Sequence, residues 1–304
     1  MKPQSLYLLP AAALMVLAIG APGTALAIAT EHIVYQTTAD CTSSNYVKCY
    51  TSLTDAINAA DEDLSDFITI KPGQYSGTFT LNKNVSITGT ETARTIISGG
   101  GSGPIITISD ASGVSIRKLT FTSATTGIKV TNSFSVDITN NVFRVGTSGT
   151  AISVESSSSA DIINNTFYQN SVGVSFVTGT TVDIENNIFY GNGTGSTAIS
   201  STASASVLQY NCFYNITAGQ EGTTGSNVTT DPLFVDPAAG DAGDFHLQSG
   251  SDSIDTGTSS RLDPSFYPNT RSDMGAYGGP DTDTIPFAVA DFKVTSTTDT
   301  SITT

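Results

Sequence analysis

The chain has no tryptophan, three cysteines and two histidines, and only 13% of its residues are charged. Each scarcity excludes something. Basic residues number 12 against 27 acidic ones, for a formal net charge of −15, and no Lys/Arg cluster forms anywhere. Nucleic acid and anionic membrane surfaces demand such clusters, so neither is an expected partner. Cys41 and Cys49 are too far apart for a CxxC redox pair, and no pair of histidines stands near them to complete a zinc site. In an oxidising compartment they are placed to close a small disulfide loop. Cys212 occupies a repeat position otherwise held by Thr120, Val142, Thr166 and Ile188, which reads as packing rather than nucleophilic chemistry. Low charge combined with an ordinary apolar fraction of 38% is not a disordered composition.

Long apolar runs are also scarce. One extends from Leu6 to Ile19, behind Lys2 and ahead of the small-residue site Ala25-Leu-Ala27. This pattern is a secretory signal peptide over residues 1–27, and it predicts a secreted or cell-surface protein with no membrane span in the mature chain. The alternative, an uncleaved anchor, is opposed by Pro10 and by a run short of the roughly 20 residues a span needs.

What the chain does have is repetition. Ile138-Thr-Asn-Asn-Val-Phe143 returns as Ile162-Ile-Asn-Asn-Thr-Phe167 and Ile184-Glu-Asn-Asn-Ile-Phe189. Worn copies read Ile116-Arg-Lys-Leu-Thr-Phe121 and Leu208-Gln-Tyr-Asn-Cys-Phe213. The phenylalanines recur at steps of 22, 24, 22 and 24 residues. A period in this range marks a solenoid, whose repeats bury their apolar faces only by stacking. Each repeat divides into a Val-x-Ile run, an Asn turn, the Phe run, a Gly/Ser-rich stretch and a Gly-Ile-x-Val run. Period-two alternation makes these half-buried strands, three to a turn, stacked at roughly 4.8 Å. Asn141, Asn165, Asn187 and Asn211 share one turn position, where stacked amides both donate and accept. They are expected to form a structural ladder. Leu53, Ala56, Ile57 and Ala60 have helical spacing behind Ser52 or Thr54 as cap, which predicts one short helix covering the open end of the stack. After Asn215 the period fades, and the remainder reads as terminal coils and a cap.

Three segments then carry a resemblance. Ser52-Leu-Thr-Asp-Ala-Ile-Asn-Ala59, Ile70-Lys-Pro-Gly-Gln-Tyr75 and Val85-Ser-Ile-Thr-Gly89 resemble the opening of right-handed parallel β-helix proteins of the pectin-lyase-like superfamily. Asp231-Pro-Leu-Phe234, Ser253-Ile-Asp-Thr-Gly257 and Asp273-Met-Gly-Ala-Tyr277 resemble the ending of the choice-of-anchor Q group of secreted β-helix proteins. Phe287 to Thr304 resembles the first strand and a half of a fibronectin type III domain, with a disordered polar tail as the alternative. The expected organisation is a signal peptide (1–27), an all-β right-handed parallel β-helix of three sheets with an N-terminal capping helix (28–281), and a linker with a truncated fibronectin-like start (282–304).

The resemblance leaves function open, because lyases, glycoside hydrolases, adhesins and surface-layer proteins share this fold. It implies that a sugar groove, if present, lies on one outward sheet face, here assigned to the Gly-Ile-x-Val runs. That face is bland: Thr107, Lys129, Ser153, Ser175, Ser200. Lys129, Glu155 and Arg144 are the weak catalytic candidates, and the competing reading is a surface ion pair. Asp137, Asp161 and Asp183 fall on successive rungs, about 5 Å apart. They read either as a Ca²⁺ site or as solvated carboxylates that discourage edge-to-edge association. Tyr168, Tyr190 and Tyr214 form an outward column, read either as a glycan-stacking platform or as rings packed under the following loop. Asn-x-Ser/Thr sequons begin at Asn84, Asn164, Asn192, Asn215 and Asn227, with Asn164 placed in the turn. The sequence thus predicts a monomeric, non-catalytic protein that binds a polysaccharide or cell-surface glycan, or serves structurally. The alternative is a polysaccharide lyase or glycoside hydrolase acting on acidic polysaccharide.

Overall fold

The alternating runs become three parallel sheets of nine, seven and six strands, wound around one core. A computed structural model describes residues 29–37, 41–62, 65–219, 226–240, 242–260 and 271–280. The expected leader and the segment read as fibronectin-like lie outside the described residues. The Val-x-Ile runs (such as Val136–Thr139) lie in the nine-stranded sheet and the Phe runs (such as Val142–Arg144) in the seven-stranded one. The Gly-Ile-x-Val runs (such as Thr150–Glu155) lie in the six-stranded sheet. The seven-stranded sheet counts seven successive turns of a parallel solenoid.

Register places like on like. Ile116, Ile138, Ile162, Ile184 and Leu208 form one column. Phe121, Phe143, Phe167, Phe189 and Phe213 form another, with ring centroids 4.9, 5.2, 4.6 and 5.1 Å apart. All five rings are buried. The Asn pair divides its labour. Asn140, Asn164 and Asn186 take the left-handed conformation, with φ of 55°, 52° and 57°. Asn141, Asn165, Asn187 and Asn211 turn inward, fully buried, and each Nδ2 donates to the next Oδ1 at 3.1, 3.2 and 3.1 Å. The same oxygens also accept the backbone N–H of the rung before, as from Asn165 N to Asn187 Oδ1 at 2.9 Å. Asn227 continues the ladder by accepting from Asn211 N at 2.7 Å.

At the N-terminal end, helix Leu53–Ala59 covers the first turn with Leu53, Ala56 and Ile57 buried. Ser52 Oγ caps it by accepting from Asp55 N at 3.2 Å. Lys83 Nζ donates to the carbonyls of Asn58 and Ala60 at its far end. Cys41 and Cys49 are joined in a disulfide beside this cap. A buried polar cluster lies under it: His32 Nε2 meets Asp66 Oδ2 at 2.9 Å and Nδ1 meets the Tyr50 hydroxyl at 3.1 Å. A carboxylate only accepts, so Nε2 donates to Asp66. Burial opposes the Asp66 charge. The N–H groups of Thr30 and Asp61 and the His32 ring outweigh it and hold Asp66 below the ordinary carboxylate range.

The C-terminal segment corrects the sequence reading. Ala218 and Val228 still bridge Thr197 and Cys212 in parallel, but from the hairpin onward the segment adds no coil and runs back along the flank of the stack. Strands Phe234–Asp236 and Asp244–Leu247 form an antiparallel hairpin on the seven-stranded sheet. Asn186 Oδ1 accepts from Thr258 N at 2.8 Å, and Asn164 Nδ2 donates to the Asp273 carbonyl at 2.8 Å. Asn140 Nδ2 donates to the Ala276 and Gly278 carbonyls at 3.1 and 2.7 Å. The left-handed Asn column is therefore the dock for Thr258 and for residues 272–278. Gly275 (φ +90°) is required there, because a Cβ would come within 2.8 Å of Ile188 and 2.9 Å of Thr166. The segment seals a second small core of Val142, Ile188, Cys212, Phe234, Phe245, Met274 and Ala276. Cys212 is packed in that core and its thiol is pushed up to about 12 by burial, consistent with a packing role. Among the described residues, no helix is long and apolar enough to cross a membrane.

Asn187→Ala removes an acceptor for two groups of Asn165 and strands several buried partners. It is expected to cost about 3 kcal/mol, measured by urea denaturation. The Asp66 contribution is complete above the unfolded-state value of 3.8 and drains as pH falls through the lower folded value. The wild-type melting temperature should therefore fall more steeply than that of Asp66→Asn as pH drops below about 4.

Candidate functional site

The outward face of the seven-stranded sheet carries two columns. The first reads Gln74, Ile96, Thr120, Val142, Thr166, Ile188, Cys212. From Thr120 onward it is fully buried. The second begins Ser76, Ser98, Thr122, Arg144 and continues as Tyr168, Tyr190, Tyr214. The hairpin sits on the aromatic half. Phe245 meets Tyr168 edge-on at 5.1 Å, and Phe234 lies 5.8 Å from Tyr190. The tyrosines do point outward, with neighbouring rings tilted against one another at 5.0 and 5.2 Å. They are not an open platform, because two phenylalanines from a distant segment cover them.

What stays open is the N-terminal part of this face, beneath the hairpin tip. A cleft of about 460 Å³ lies between Gln74, Arg94 and Ile96 on one side and Ala239, Gly240 and Asp244 on the other. A contiguous space of about 400 Å³ shares Gln74, Ile96 and Gly240 and adds Ser98, Thr122 and Arg144. This cleft lies on the Phe-run sheet, whereas the sequence reading assigned a sugar groove to the Gly-Ile-x-Val sheet. Arg144 is held against two rings, 5.6 Å from the Tyr168 centroid and 5.7 Å from that of Phe245. Arg94 pairs with Glu91 at 3.0 Å, an exposed bridge that restrains it only weakly. Asp244 Oδ1 meets His246 Nδ1 at 2.6 Å, and the His246 ring stacks on Tyr277 at 3.9 Å.

The other sequence candidates lie elsewhere. Lys129 Nζ meets Glu155 Oε2 at 2.7 Å on the six-stranded sheet, and Ser153 Oγ donates to Glu155 Oε1 at 3.2 Å. Arg144, on another sheet, does not join them. With both side chains about a third exposed, the Lys129–Glu155 contact is a surface ion pair. Asp137, Asp161 and Asp183 are in register on the nine-stranded sheet. A column with one carboxylate per rung does not converge: among the described residues no group of three or more His, Cys, Asp or Glu side chains is placed to hold a metal ion. Asp183 Oδ1 is buried without a hydrogen-bond partner. Asn164 is buried and bonded to the C-terminal segment, so its sequon is inaccessible in the folded chain.

Gln74, Ile96, Ser98, Thr122, Asp244 and His246 escaped sequence reasoning as site residues. Gln74 sits inside a segment singled out only for its fold, and the hydroxyls look like ordinary outward strand positions.

A family-model match agrees with this architecture. The family described as right handed beta helix region matches residues 104–252. The chain is an all-β, right-handed parallel β-helix. No curated protein matches it. Among solved structures, an alginate lyase from Paenibacillus sp. str. FPU-7 is 14% identical, covering 54% of this chain and 73% of that one, with a TM-score of 0.35. Geobacillus virus E2 ORF18 is 14% identical over 56% of this chain and 39% of that one, with a TM-score of 0.32. Pectate lyase Pel9A is 15% identical over 82% of this chain and 97% of that one, with a TM-score of 0.27.

Phe245→Ala should uncover the tyrosine column of this β-helix. We expect a loss of about 3 kcal/mol in stability. With no tryptophan in the chain, acrylamide quenching of tyrosine fluorescence reads the exposure directly, and it should rise.

Proposed function

We propose that this β-helix is a secreted or cell-surface protein that binds an extracellular polysaccharide without cleaving it, in the cleft between the seven-stranded sheet and the hairpin tip. One observation carries this reading: the cleft gathers Gln74, Ser98, Thr122, Arg94 and Arg144 around the apolar floor of Ile96. Sugars present hydroxyl edges and apolar ring faces. An amide, two hydroxyls and two guanidinium groups answer the first, and an isoleucine answers the second. Arginine remains charged at any physiological pH and bonds paired oxygens bidentately, which suits vicinal hydroxyls and carboxylates. Two of the four arginines among the described residues line this cleft, in a chain of net charge −15. The signal peptide supports export, and the choice-of-anchor Q resemblance supports tethering at the cell surface.

A catalytic reading has one observation of its own. Asp244 lies in the cleft and orients His246, an arrangement that poises an imidazole for proton transfer. On that reading the protein is a polysaccharide lyase or glycoside hydrolase.

Affinity electrophoresis in gels containing individual polysaccharides tests binding. Arg144→Ala and Gln74→Ala are each expected to weaken retention about tenfold, whereas Lys129→Ala should leave it unchanged. Unaltered retention in both cleft variants would remove the cleft as the site. Release of unsaturated product from pectate or alginate with Ca²⁺, abolished by His246→Ala, would establish the catalytic reading instead.

A further inference from the structure

The five Asn-x-Ser/Thr sequons share one pattern and end in very different places. An acceptor asparagine must offer its amide on a surface loop, with the hydroxyl of the third residue beside it. Asn164-Asn165-Thr166 is buried, and the Thr166 hydroxyl accepts from Ala276 N at 3.0 Å. Asn227 Oδ1 extends the amide ladder, its Nδ2 is shut off from solvent, and Val228 bridges Cys212. Asn84 is exposed, but Val85 is fully buried and Ser86 opens strand Ser86–Gly89. Asn84 Oδ1 also accepts from Ser112 N at 2.6 Å. Asn215 Nδ2 donates to the Gly191 carbonyl at 3.4 Å, and Thr217 Oγ1 donates to the Ser196 carbonyl at 2.6 Å.

Asn192-Gly193-Thr194 stands off the coil. Six residues separate strand Ile188–Tyr190 from Thr197–Ser201, whereas the same connection takes three after Thr120–Thr122 and three after Thr166–Tyr168. The added length carries Gly193 and Gly195 at φ +79° and +67°, and residues 193–195 are exposed. Asn192 Oδ1 accepts from Thr194 N at 3.0 Å, which folds Thr194 back towards the amide. Among the described residues, neither the Asn192 Nδ2 nor the Thr194 hydroxyl is engaged in a hydrogen bond.

We propose, on the reading that the chain is exported, that Asn192 is the acceptor for asparagine-linked glycosylation. The donor is an oligosaccharide carried on a lipid diphosphate, and a membrane-bound oligosaccharyltransferase joins the two. The amide Nδ2 attacks the anomeric carbon and loses one proton to the transferase. A C–N bond forms, the C–O bond to the diphosphate breaks, and the lipid diphosphate leaves with the electron pair. Nothing is oxidised or reduced. A glycan on Asn192 projects from the loop into solvent. On Asn164 it would displace the C-terminal segment, and on Asn227 the end of the ladder, so a chain modified at either cannot complete the fold.

Expression in a eukaryotic host tests the proposal, with the whole chain behind its own leader and residues 28–304 behind a host leader. Peptide mass spectrometry of the exported protein reads occupancy sequon by sequon. Occupancy at Asn192 should exceed that at Asn164 and Asn227 by at least about tenfold. Asn192→Gln and Thr194→Ala should each remove this glycan and Thr194→Ser should keep it, with circular dichroism unchanged in all three. Exported protein that is unmodified at Asn192, or as occupied at Asn164 as at Asn192, overturns the inference. Export behind the host leader alone overturns the reading of residues 1–27 as a leader, while occupancy at Asn192 still decides the acceptor.

Discussion

Every other feature of the molecule depends on parallel, in-register stacking at roughly 4.8 Å. At that spacing each side chain rests on its own equivalent, so a position is stable only if its residue is compatible with a copy of itself. Phenylalanine satisfies this by stacking, and branched aliphatics by filling the core. Asparagine satisfies it more specifically, because one amide both donates and accepts and so pairs with another amide above and below. Asn141, Asn165, Asn187 and Asn211 convert this self-complementarity into a buried chain of hydrogen bonds. Carboxylates are not self-complementary. The aspartates at 137, 161 and 183 accordingly lie outside the coil, Asp137 exposed and Asp161 and Asp183 half-buried.

The turn that supplies the ladder also organises the second layer. Asn141, Asn165 and Asn187 are each preceded by an asparagine in the left-handed conformation, whose side chain points out of the coil. These outward amides bind backbone groups of Thr258, Asp273, Ala276 and Gly278, and the segments that carry them help bury the first outward column of the seven-stranded sheet. The sheet thereby becomes two-sided over most of its length. Only its N-terminal rungs escape, and the cleft is what remains between them and the hairpin tip. The putting-together of a site here is a matter of coverage: the same strand positions are core at Thr166 and Ile188 and cleft at Gln74 and Ile96.

The repeat made most of this architecture legible. The strand runs, the inward Phe and Asn columns, the short capping helix and the packing role of Cys212 all follow from period and alternation. The candidate site was much less legible. An outward position reads the same in sequence whether another segment covers it or not, so Tyr168 and Tyr190 could be read as an open platform or as rings under a loop. The covering residues, Phe234 and Phe245, lie outside the repeats and carry no period to reveal their partners. Arg144 was singled out for its charge but set beside Lys129 and Glu155, because strand order alone does not say which outward faces a distant segment will roof.

The sequence by itself determined that this chain is a β-solenoid, because a repeated pattern of local alternation has one way to bury its apolar face, by stacking on itself. Only the tertiary structure decided which outward face is open, which aromatic column is covered, and where arginines and hydroxyls meet in one cleft. The physical reason is that the coils are held by contacts between equivalent positions, which a period displays. The cleft is made by contacts between unrelated segments, and no local pattern encodes those.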